Sequence, residues 1–181
     1  MTSFKYYVGA SIDGFVADEA GDTHWLRPFR ELAGFRGDMQ EFFDNVGAVV
    51  IGGKTYETIV RDVSEGHLQW PFGTKPVWIF THHELPTLPD TDLTFIRGEI
   101  SFWSRDIAKS AGAGDVWLVG GADLAGGFIQ AGILDELTVI TVPVFLGSGV
   151  NIFGRNAKAQ LSELKIRELG DDIFASSYAI S

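Results

Sequence analysis

The feature that most constrains the fold of this chain is a strand, a glycine pair and a helix within residues 115–149. Residues 116–119 form a short apolar run, rich in β-branched and aromatic side chains, with the length typical of a buried parallel strand. Gly120 and Gly121 follow at once, and the next apolar side chains recur at helical spacing up to Gly132, where a helix usually ends. The glycine pair is therefore predicted to join a strand to a helix.

A glycine pair at such a junction has two possible uses. Because glycine has no Cβ atom, a ligand phosphate can approach the backbone, and the free N–H groups and the positive end of the helix dipole favour its charge. A tight turn needs the same glycines without any ligand, and short glycine motifs often match by chance. The pair alone leaves both interpretations open.

The residues that follow make the pattern more specific. Residues 137–144 alternate through a second predicted buried strand, which leads into Gly147-Ser148-Gly149. The string GG-x-x-L…AG-x-x-DEL…PV-x-LG-x-G resembles the reductase domain that ends the bifunctional deaminase-reductase of riboflavin biosynthesis, a relative of dihydrofolate reductase. The resemblance implies that Gly120, Gly121, Ala122, Asp123 and Leu124 bind the cofactor and that Gly147, Ser148 and Gly149 bind the substrate.

A second glycine motif follows the strand predicted over residues 48–51. The string AVVIGGKT differs from a phosphate-binding P-loop at Ala48, and a P-loop needs a loop where this chain has the strand, so a P-loop phosphohydrolase is disfavoured. The segment instead resembles the G-R-x-T-[YW]-E box of dihydrofolate reductase relatives, whose helix start binds the cofactor pyrophosphate and 2′-phosphate. The implied cofactor residues are Gly52, Gly53, Lys54 and Thr55. Because Gly53 replaces the arginine that usually grips the 2′-phosphate, the choice between NADPH and NADH stays open.

The first predicted strand, residues 4–10, leads into a long loop with turn chemistry at Asp13 and Gly14. The pattern S-x-DG-x-x-A followed by a tryptophan resembles the loop that covers the nicotinamide and the substrate in dihydrofolate reductase relatives. An Asp-Gly turn explains Asp13 equally well. The resemblance implies that Ser11, Asp13 and Trp25 meet the substrate and that Ala10 and Val16 meet the cofactor.

Asp38 has two interpretations. The apolar residues Met39, Phe42, Phe43 and Val46 follow it at helical spacing, and Asp38 with Glu41 has the form of a capping box, which makes Asp38 the N-cap. In dihydrofolate reductases the buried carboxylate that binds the substrate lies at the start of this helix. The resemblance therefore makes Asp38 the catalytic candidate, with Met39 and Phe42 as an apolar wall. The two roles are compatible.

The remaining segments complete an α/β pattern. Residues 76–80 and 93–96 predict strands, Ser101 is predicted to cap a helix, and the tail predicts a hairpin turning at residues 170–172. In relatives, residues at the position of Thr81 and His82 meet the adenosine phosphate, with Lys54 supplying the charge that Gly53 lacks; a solvated loop is the alternative. The sequence therefore predicts one α/β domain over residues 1–181, with a mostly parallel sheet and an antiparallel C-terminal hairpin. The resemblance implies that this domain is a dihydrofolate reductase-like three-layer sandwich.

The predicted topology groups three of these motifs. Gly52, Thr81 and Gly120 each follow a predicted strand at its carboxyl end. Ligand sites of parallel sheets lie beyond these ends. We therefore expect the three motifs to meet in one crevice.

Composition excludes several other classes of function. The chain has no cysteine, which excludes disulfides and thiolate metal ligands and fits a reducing cytoplasm. A net charge of −10 argues against non-specific binding of nucleic acid or anionic membrane, and neither a signal peptide core nor a membrane-spanning run is visible. His82 and His83 would point to opposite sides of an extended segment, so no metal site is predicted.

The resemblance implies an NADPH-dependent reductase, and the absence of cysteine and of a signal peptide core leads us to expect it in the cytoplasm. The expected reaction is hydride transfer to a small heterocyclic or ribosyl substrate, as in the aminopyrimidine reductases of riboflavin biosynthesis. Two alternatives remain: a reductase of a pterin or another substrate, and a nucleotide-binding protein of the same fold without turnover. The resemblance also implies a homodimer.

Overall fold

The computed structural model describes residues 1–154 and 157–181. The strands are β1 (Phe4–Ser11), β2 (Phe15–Ala17), β3 (Val46–Gly52), β4 (Val77–Phe80), β5 (Leu93–Ile96), β6 (Asp115–Gly120), β7 (Glu136–Val142), β8 (Val150–Asn151), β9 (Leu161–Gly170) and β10 (Ile173–Ile180). The helices are α1 (Arg27–Arg30), α2 (Ala33–Asp44), α3 (Gly53–Ser64), α4 (Ile100–Ser110) and α5 (Ala122–Gln130), with a short 3-10 helix at His24–Leu26.

The main sheet has eight strands in the order β5-β4-β3-β6-β1-β7-β10-β9. The first six of these pair in parallel, and β10 pairs antiparallel with both β7 and β9. A separate two-stranded sheet joins β2 to β8. The expected mostly parallel sheet with an antiparallel C-terminal hairpin is confirmed.

Helices cover both faces of the parallel strands. On one face, α4 and α5 pack Ile107 and Phe128 against the sheet. On the other, α2 and α3 pack Phe35, Tyr56 and Val60 against it. This double coverage explains why β3 and β6 read as continuous apolar runs, since parallel strands buried on both faces lack polar alternation. The predicted three-layer arrangement is confirmed.

Helix α2 begins six residues earlier than the capping-box interpretation predicts. Its N-cap is Leu32, so Asp38 lies inside the helix and the N-cap role for Asp38 is wrong. Gly34 lies within this helix, where a Cβ atom would collide with the backbone of Leu169 at the end of β9. Close approach of helix and strand, rather than a helix end, requires that glycine.

Three further boundaries differ from expectation. The N-cap of α4 is Glu99, so Ser101 lies within the helix and does not cap it. Strand β7 ends at Val142, before Pro143, whose ring removes a backbone donor. The long loop after β1 contains β2 and the 3-10 helix. None of the helices in residues 1–154 and 157–181 has both the length and the apolar character needed to span a membrane.

Candidate active site

Two helix N-termini lie side by side at the carboxyl edge of the sheet. Strand β3 ends at Gly52, strand β6 ends at Gly120, and Ile51 is in register with Gly120. A Cβ atom on Gly52 would lie only 3.3 Å from the amide nitrogen of Gly121, and one on Gly121 would lie 3.6 Å from the Thr55 hydroxyl oxygen. These glycines therefore leave a narrow space between the starts of α3 and α5, which we call the glycine cradle (Gly52, Gly53, Thr55, Gly120, Gly121).

The cradle suits an anionic group. Both helices have a glycine at the N-cap, Gly52 for α3 and Gly121 for α5, and glycine has no side chain to satisfy the first backbone N–H groups. Two positive dipole ends and their N–H groups then face one space, an arrangement that favours phosphate. The residue that needs glycine for its backbone conformation is Gly120, with φ +135°, whereas Gly121 has φ −70°. The residues present therefore fit the pyrophosphate of a dinucleotide.

Two adjoining clefts continue from the cradle along the ends of β4 and β5. The larger, about 390 Å³, includes Thr81, His83 and Phe95 in its lining. The smaller, about 210 Å³, includes Thr81, His82 and Leu124. His82 and His83 thus line different clefts, as their adjacency in an extended segment predicts.

The other predicted cofactor residues fall around this region. Ala122 is buried and Asp123 is exposed in the first turn of α5, where Asp123 lines the smaller cleft. Lys54 is exposed, and its Nζ reaches the neighbourhood of Gly21 in the loop after β2. Ala10 is buried in β1, and Val16 packs against the core on the side of α4 and α5.

Asp13 ties the loop after β1 to the loop after β7. Its carboxylate accepts hydrogen bonds from the Ser11 hydroxyl at 2.7 Å and from the backbone N–H groups of Leu146 at 3.1 Å and Gly147 at 2.8 Å. Pairing of β2 with β8 joins the same two loops farther along. Three of the predicted substrate residues, Ser11, Asp13 and Gly147, therefore meet, and Ser148 and Gly149 follow directly.

These contacts keep Asp13 charged. Partial desolvation opposes ionisation, but the hydrogen bonds from Ser11, Leu146 and Gly147 outweigh it and lower the pKa of Asp13 below its ordinary value. Asp13 is thus both a turn residue and a connector between loops. An anionic carboxylate with these partners accepts hydrogen bonds and orients donors, and it has no proton to give at neutral pH.

The 3-10 helix covers the adjacent part of β1. The side chain of Leu26 lies directly over Gly9, where a Cβ atom would come within 2.5 Å of Leu26 Cδ2. Trp25 next to it is partly buried, and its indole N–H is buried without a hydrogen-bond partner in the described part of the chain. A buried indole N–H normally donates to an acceptor, so Trp25 is suited to donate a hydrogen bond to a ligand.

Asp38 lies in a cluster of side chains between α2 and the hairpin β9–β10. It accepts a hydrogen bond from the Tyr7 hydroxyl at 2.8 Å and two from the Arg167 guanidinium, at 2.9 Å from Nε and 3.2 Å from Nη2. Arg167 also donates to Ser177 at 3.3 Å, and the ring of Phe42 stacks on Tyr7 with centroids 4.5 Å apart. We call these five residues the Asp38 cluster. Met39 packs against the same core.

The cluster is neutralised and mostly closed. The Asp38 side chain is 8% exposed, whereas that of Arg167 is 45% exposed, so water reaches the cluster from the Arg167 side. Burial, reinforced by the Asp38 carboxylate, raises the pKa of Tyr7, which therefore remains a hydroxyl donor. The carboxylate of Asp38 is thus already occupied by an arginine and a tyrosine.

The Asp38 cluster and the Asp13 contacts occupy one face of β1. Tyr7, Gly9 and Ser11 alternate with residues that face α4 and α5, so the three share the side of α2 and α3. Tyr7 and Ser11 are four residues apart, or about 13 Å along the strand. The side chain of Leu26, which lies over Gly9, occupies the space between Tyr7 and Ser11. The two carboxylates are therefore separate groups rather than a catalytic pair.

Sequence reasoning missed three residues of these sites. No local sequence pattern marks Tyr7 or Arg167 as a site residue, because each contacts Asp38 only through tertiary packing. Arg97, which lines both clefts, directly follows β5 at its carboxyl end. The rule that selected Gly52 and Thr81 also applies to Arg97.

A group of potential metal ligands lies elsewhere, at the end of α3. The ligand atoms of Asp62, Glu65 and His67 lie within 4.8 Å of one another. Asp62 already pairs with Arg27 at 3.0 Å, and His67 Nδ1 lies 3.3 Å from Glu65. These surface contacts account for the grouping.

Comparison with known proteins identifies relatives of the whole arrangement. Residues 61–175 match the family described as the RibD C-terminal domain. The uncharacterised protein YwjB of Bacillus subtilis is 32% identical over 150 residues, which cover 81% of this chain and 80% of YwjB.

Solved structures share the fold. A candidate riboflavin biosynthesis protein from Shewanella sp. PV-4 matches with a TM-score of 0.75 at 22% identity, over 99% of both chains. The diaminohydroxyphosphoribosylaminopyrimidine deaminase/5-amino-6-(5-phosphoribosylamino)uracil reductase of Thermotoga maritima matches with 0.69 at 16% identity, over 99% of this chain and 57% of that one. Dihydrofolate reductase from Enterococcus faecalis, complexed with NADP(H), matches with 0.59 at 12% identity, over 99% of this chain and 96% of that one. The dihydrofolate reductase-like fold is thereby confirmed.

Proposed function

This chain belongs to the RibD C-terminal domain family, and we propose that it is an NADPH-dependent reductase of a small heterocyclic or ribosyl substrate. The observation that carries the proposal is the glycine cradle, where the uncapped starts of α3 and α5 share one space. No other feature of the described residues offers two helix N-termini to a single anion. A dinucleotide is the ligand class that places a pyrophosphate there and extends an adenosine into the adjoining clefts.

The residues of this chain would bind and orient the reactants. The cradle would hold the pyrophosphate, and Thr81 and His82 would contact the adenosine half along the clefts. The dinucleotide supplies the hydride when bound, while the protein supplies orientation and exclusion of water. The loops joined by Asp13 lie where the nicotinamide end and the substrate would be covered, beyond the ends of β1 and β7.

The Asp38 cluster favours a ribosyl substrate over a pterin. A pterin bound to Asp38 would have to displace both Arg167 and the hydroxyl of Tyr7, and the ring of Tyr7 already stacks on Phe42. Displacing Arg167 would leave the mostly buried carboxylate of Asp38 without its ion-pair partner, which is unfavourable even though Arg167 itself is partly exposed. We therefore propose that Asp38 positions α2 against β1 and β9, and that it is not the proton donor of the reaction.

Nucleotide binding and turnover test the function separately. The melting temperature of the protein should rise with NADPH concentration, as expected for a ligand of the folded state. NADPH should then be consumed with 5-amino-6-(5-phosphoribosylamino)uracil and not with dihydrofolate. No shift with NADPH or NADH would remove the cofactor proposal, and binding without turnover of any substrate would favour a nucleotide-binding protein.

We also propose that two copies associate through the hairpin β9–β10. Strand β9 is the edge of the main sheet, and Leu164, Ile166 and Phe174 project from one face of the hairpin with exposed fractions of 52%, 62% and 37%. An exposed apolar edge strand promotes pairing with another chain. A twofold axis at Leu164 would set Glu163 of each copy opposite Lys165 of the other, so charge favours antiparallel self-pairing.

The oligomeric state tests this surface. Wild type should sediment as a dimer, and Ile166→Asp should sediment as a monomer, because a carboxylate would then be buried against the other copy. Leu68→Asp, a change at an exposed leucine outside the hairpin, provides the control. A monomeric wild type would disprove the proposed surface.

A further inference from the structure

Arg97 lies where the two clefts join. It follows the last residue of β5, its side chain is exposed, and it contributes to the lining of both clefts together with Thr81 and Ile96. The carbonyl oxygen of Arg97 accepts a hydrogen bond from Trp103 Nε1 at 2.8 Å, which fixes the backbone from which the side chain extends. The backbone of Arg97 is therefore fixed, and its exposed side chain extends from the common boundary of the two clefts.

The groove offers both apolar walls and polar groups. Phe80, Ile100 and Leu124 contribute apolar surface to the smaller cleft, of the kind that packs against a purine base. Glu84 lies only in the larger cleft and Asp123 only in the smaller one, whereas Arg97 is common to both. An anion is thus most favoured at the shared boundary, beside Arg97.

The start of α3 is crowded at the position where the family resemblance leads one to expect an arginine. A Cβ atom on Gly53 would lie 3.0 Å from the hydroxyl oxygen and 3.1 Å from the Cβ atom of Thr81. Thr81 is 9% exposed and held in place, since its hydroxyl accepts from the N–H of His83 at 3.0 Å and donates to the carbonyl of His83 at 3.2 Å. A long side chain at position 53 would have to displace this packed turn.

Lys54 does not replace that arginine. Its Nζ lies beside Gly21, 3.5 Å from where a Cβ atom of that glycine would stand, so the side chain extends toward the loop after β2. The hypothesis that Lys54 supplies the missing charge at the adenosine is therefore not supported by its position. Arg97 has the charge and the location that Lys54 lacks.

We infer that Arg97 binds the 2′-phosphate of the dinucleotide, so that the preference of this chain for NADPH over NADH is set from the end of β5 and not from the start of α3. The inference rests on the proposed function, because it concerns the cofactor of that site. A guanidinium binds phosphate through two parallel hydrogen bonds, which a ribose hydroxyl cannot match. Because the chain carries a net charge of −10, its overall field does not attract a phosphate, and the preference for NADPH over NADH depends on a local cation such as Arg97.

Binding titrations with paired ligands test Arg97. NADPH and NADH are compared, and so are 2′-phospho-ADP-ribose and ADP-ribose, which lack the nicotinamide. Wild type should bind the phosphorylated member of each pair at least about tenfold more tightly. Arg97→Gln should weaken the phosphorylated ligands by about tenfold or more and change the others by less than about twofold. Arg97→Lys should give an intermediate preference, and Arg105→Gln on α4, the control, should match wild type.

The outcomes distinguish this inference from the function on which it rests. Equal affinity of wild type for both members of each pair would overturn the inference while nucleotide binding stands. An equal loss for all four ligands in Arg97→Gln would also overturn it, since Arg97 would then be a general contact. If wild type binds none of the four ligands, both the inference and the proposed function fail. Because Arg97 is exposed, an unchanged circular dichroism spectrum is expected for every variant.

Discussion

The glycine cradle is built mainly from backbone groups, whereas the Asp38 cluster is built from side chains. The cradle consists mainly of backbone: Gly52 and Gly121 sit at helix N-caps, and the groups that face the space are N–H groups. The Asp38 cluster consists of side chains brought together from β1, α2, β9 and β10. A backbone site depends on where glycines stand, whereas a side-chain site depends on which strands become neighbours.

The strongest test of the cradle is Gly52→Val. Gly52 has φ −81° and ψ 153°, an extended conformation that valine adopts readily, so the fold should survive. The new Cβ atom would lie 3.3 Å from Gly121 N, and its methyl groups would occupy the space meant for phosphate. We expect NADPH binding to weaken by about 100-fold, or about 2.7 kcal/mol, measured by titration.

The matched control for this variant is Gly37→Val. Gly37 is exposed on α2, and a Cβ atom there would meet no heavy atom of the described residues within 4 Å. Affinity for NADPH should be unchanged in the control. Native-like affinity in a folded Gly52→Val protein would show that the glycine serves only the turn.

The second test addresses the Asp38 cluster through stability. Asn caps a helix about as well as Asp, so a pure N-cap would tolerate Asp38→Asn within a few tenths of a kcal/mol. Asp38 instead lies within α2 and forms hydrogen bonds with Arg167 and Tyr7. We expect Asp38→Asn to lose about 1–2 kcal/mol of unfolding free energy, and this range is low because Arg167 is partly exposed. Chemical denaturation measures this loss.

A double-mutant cycle separates the ion pair from other effects. Arg167→Gln should cost a similar amount, and the double variant should lose less than the sum of the two. Strict additivity would mean that the contact between Asp38 and Arg167 contributes nothing. A fall in turnover much larger than the loss of stability would return Asp38 to a role in the reaction.

The same contrast explains what the sequence could predict. Glycines at strand ends are local signals, so the strand-glycine-helix unit, the start of α3 and the C-terminal hairpin were all predicted from short segments. The fold class followed from the order of these segments and from the resemblance of their motifs. Such predictions need no knowledge of which side chains meet.

Where tertiary contacts decide, the sequence was insufficient. Gly34 permits α2 to approach Leu169, about 135 residues away in the chain, and no local pattern marks this contact. Arg167 meets Asp38 across 129 residues, and no local pattern marks it. Arg97 directly follows β5 and so satisfies the strand-end rule, but it lies outside the family motif that marks Gly53 and Lys54.

The smallest expected effect lies at Asp13, where backbone and side chain combine. Because hydrogen bonds lower the pKa of Asp13 in the folded protein, its contribution to stability is present above the unfolded value near 3.8 and is lost as the pH falls through the lower folded value. Asp13→Asn should therefore lower the melting temperature at neutral pH, and the gap to wild type should close as the pH falls below the unfolded pKa value and through the lower folded one. Ser11→Ala removes one of the donors and should show the same trend with smaller amplitude. A gap that stays constant from neutral to acidic pH would mean that the charge of Asp13 is not what joins the two loops, leaving the β2–β8 pairing to hold them together.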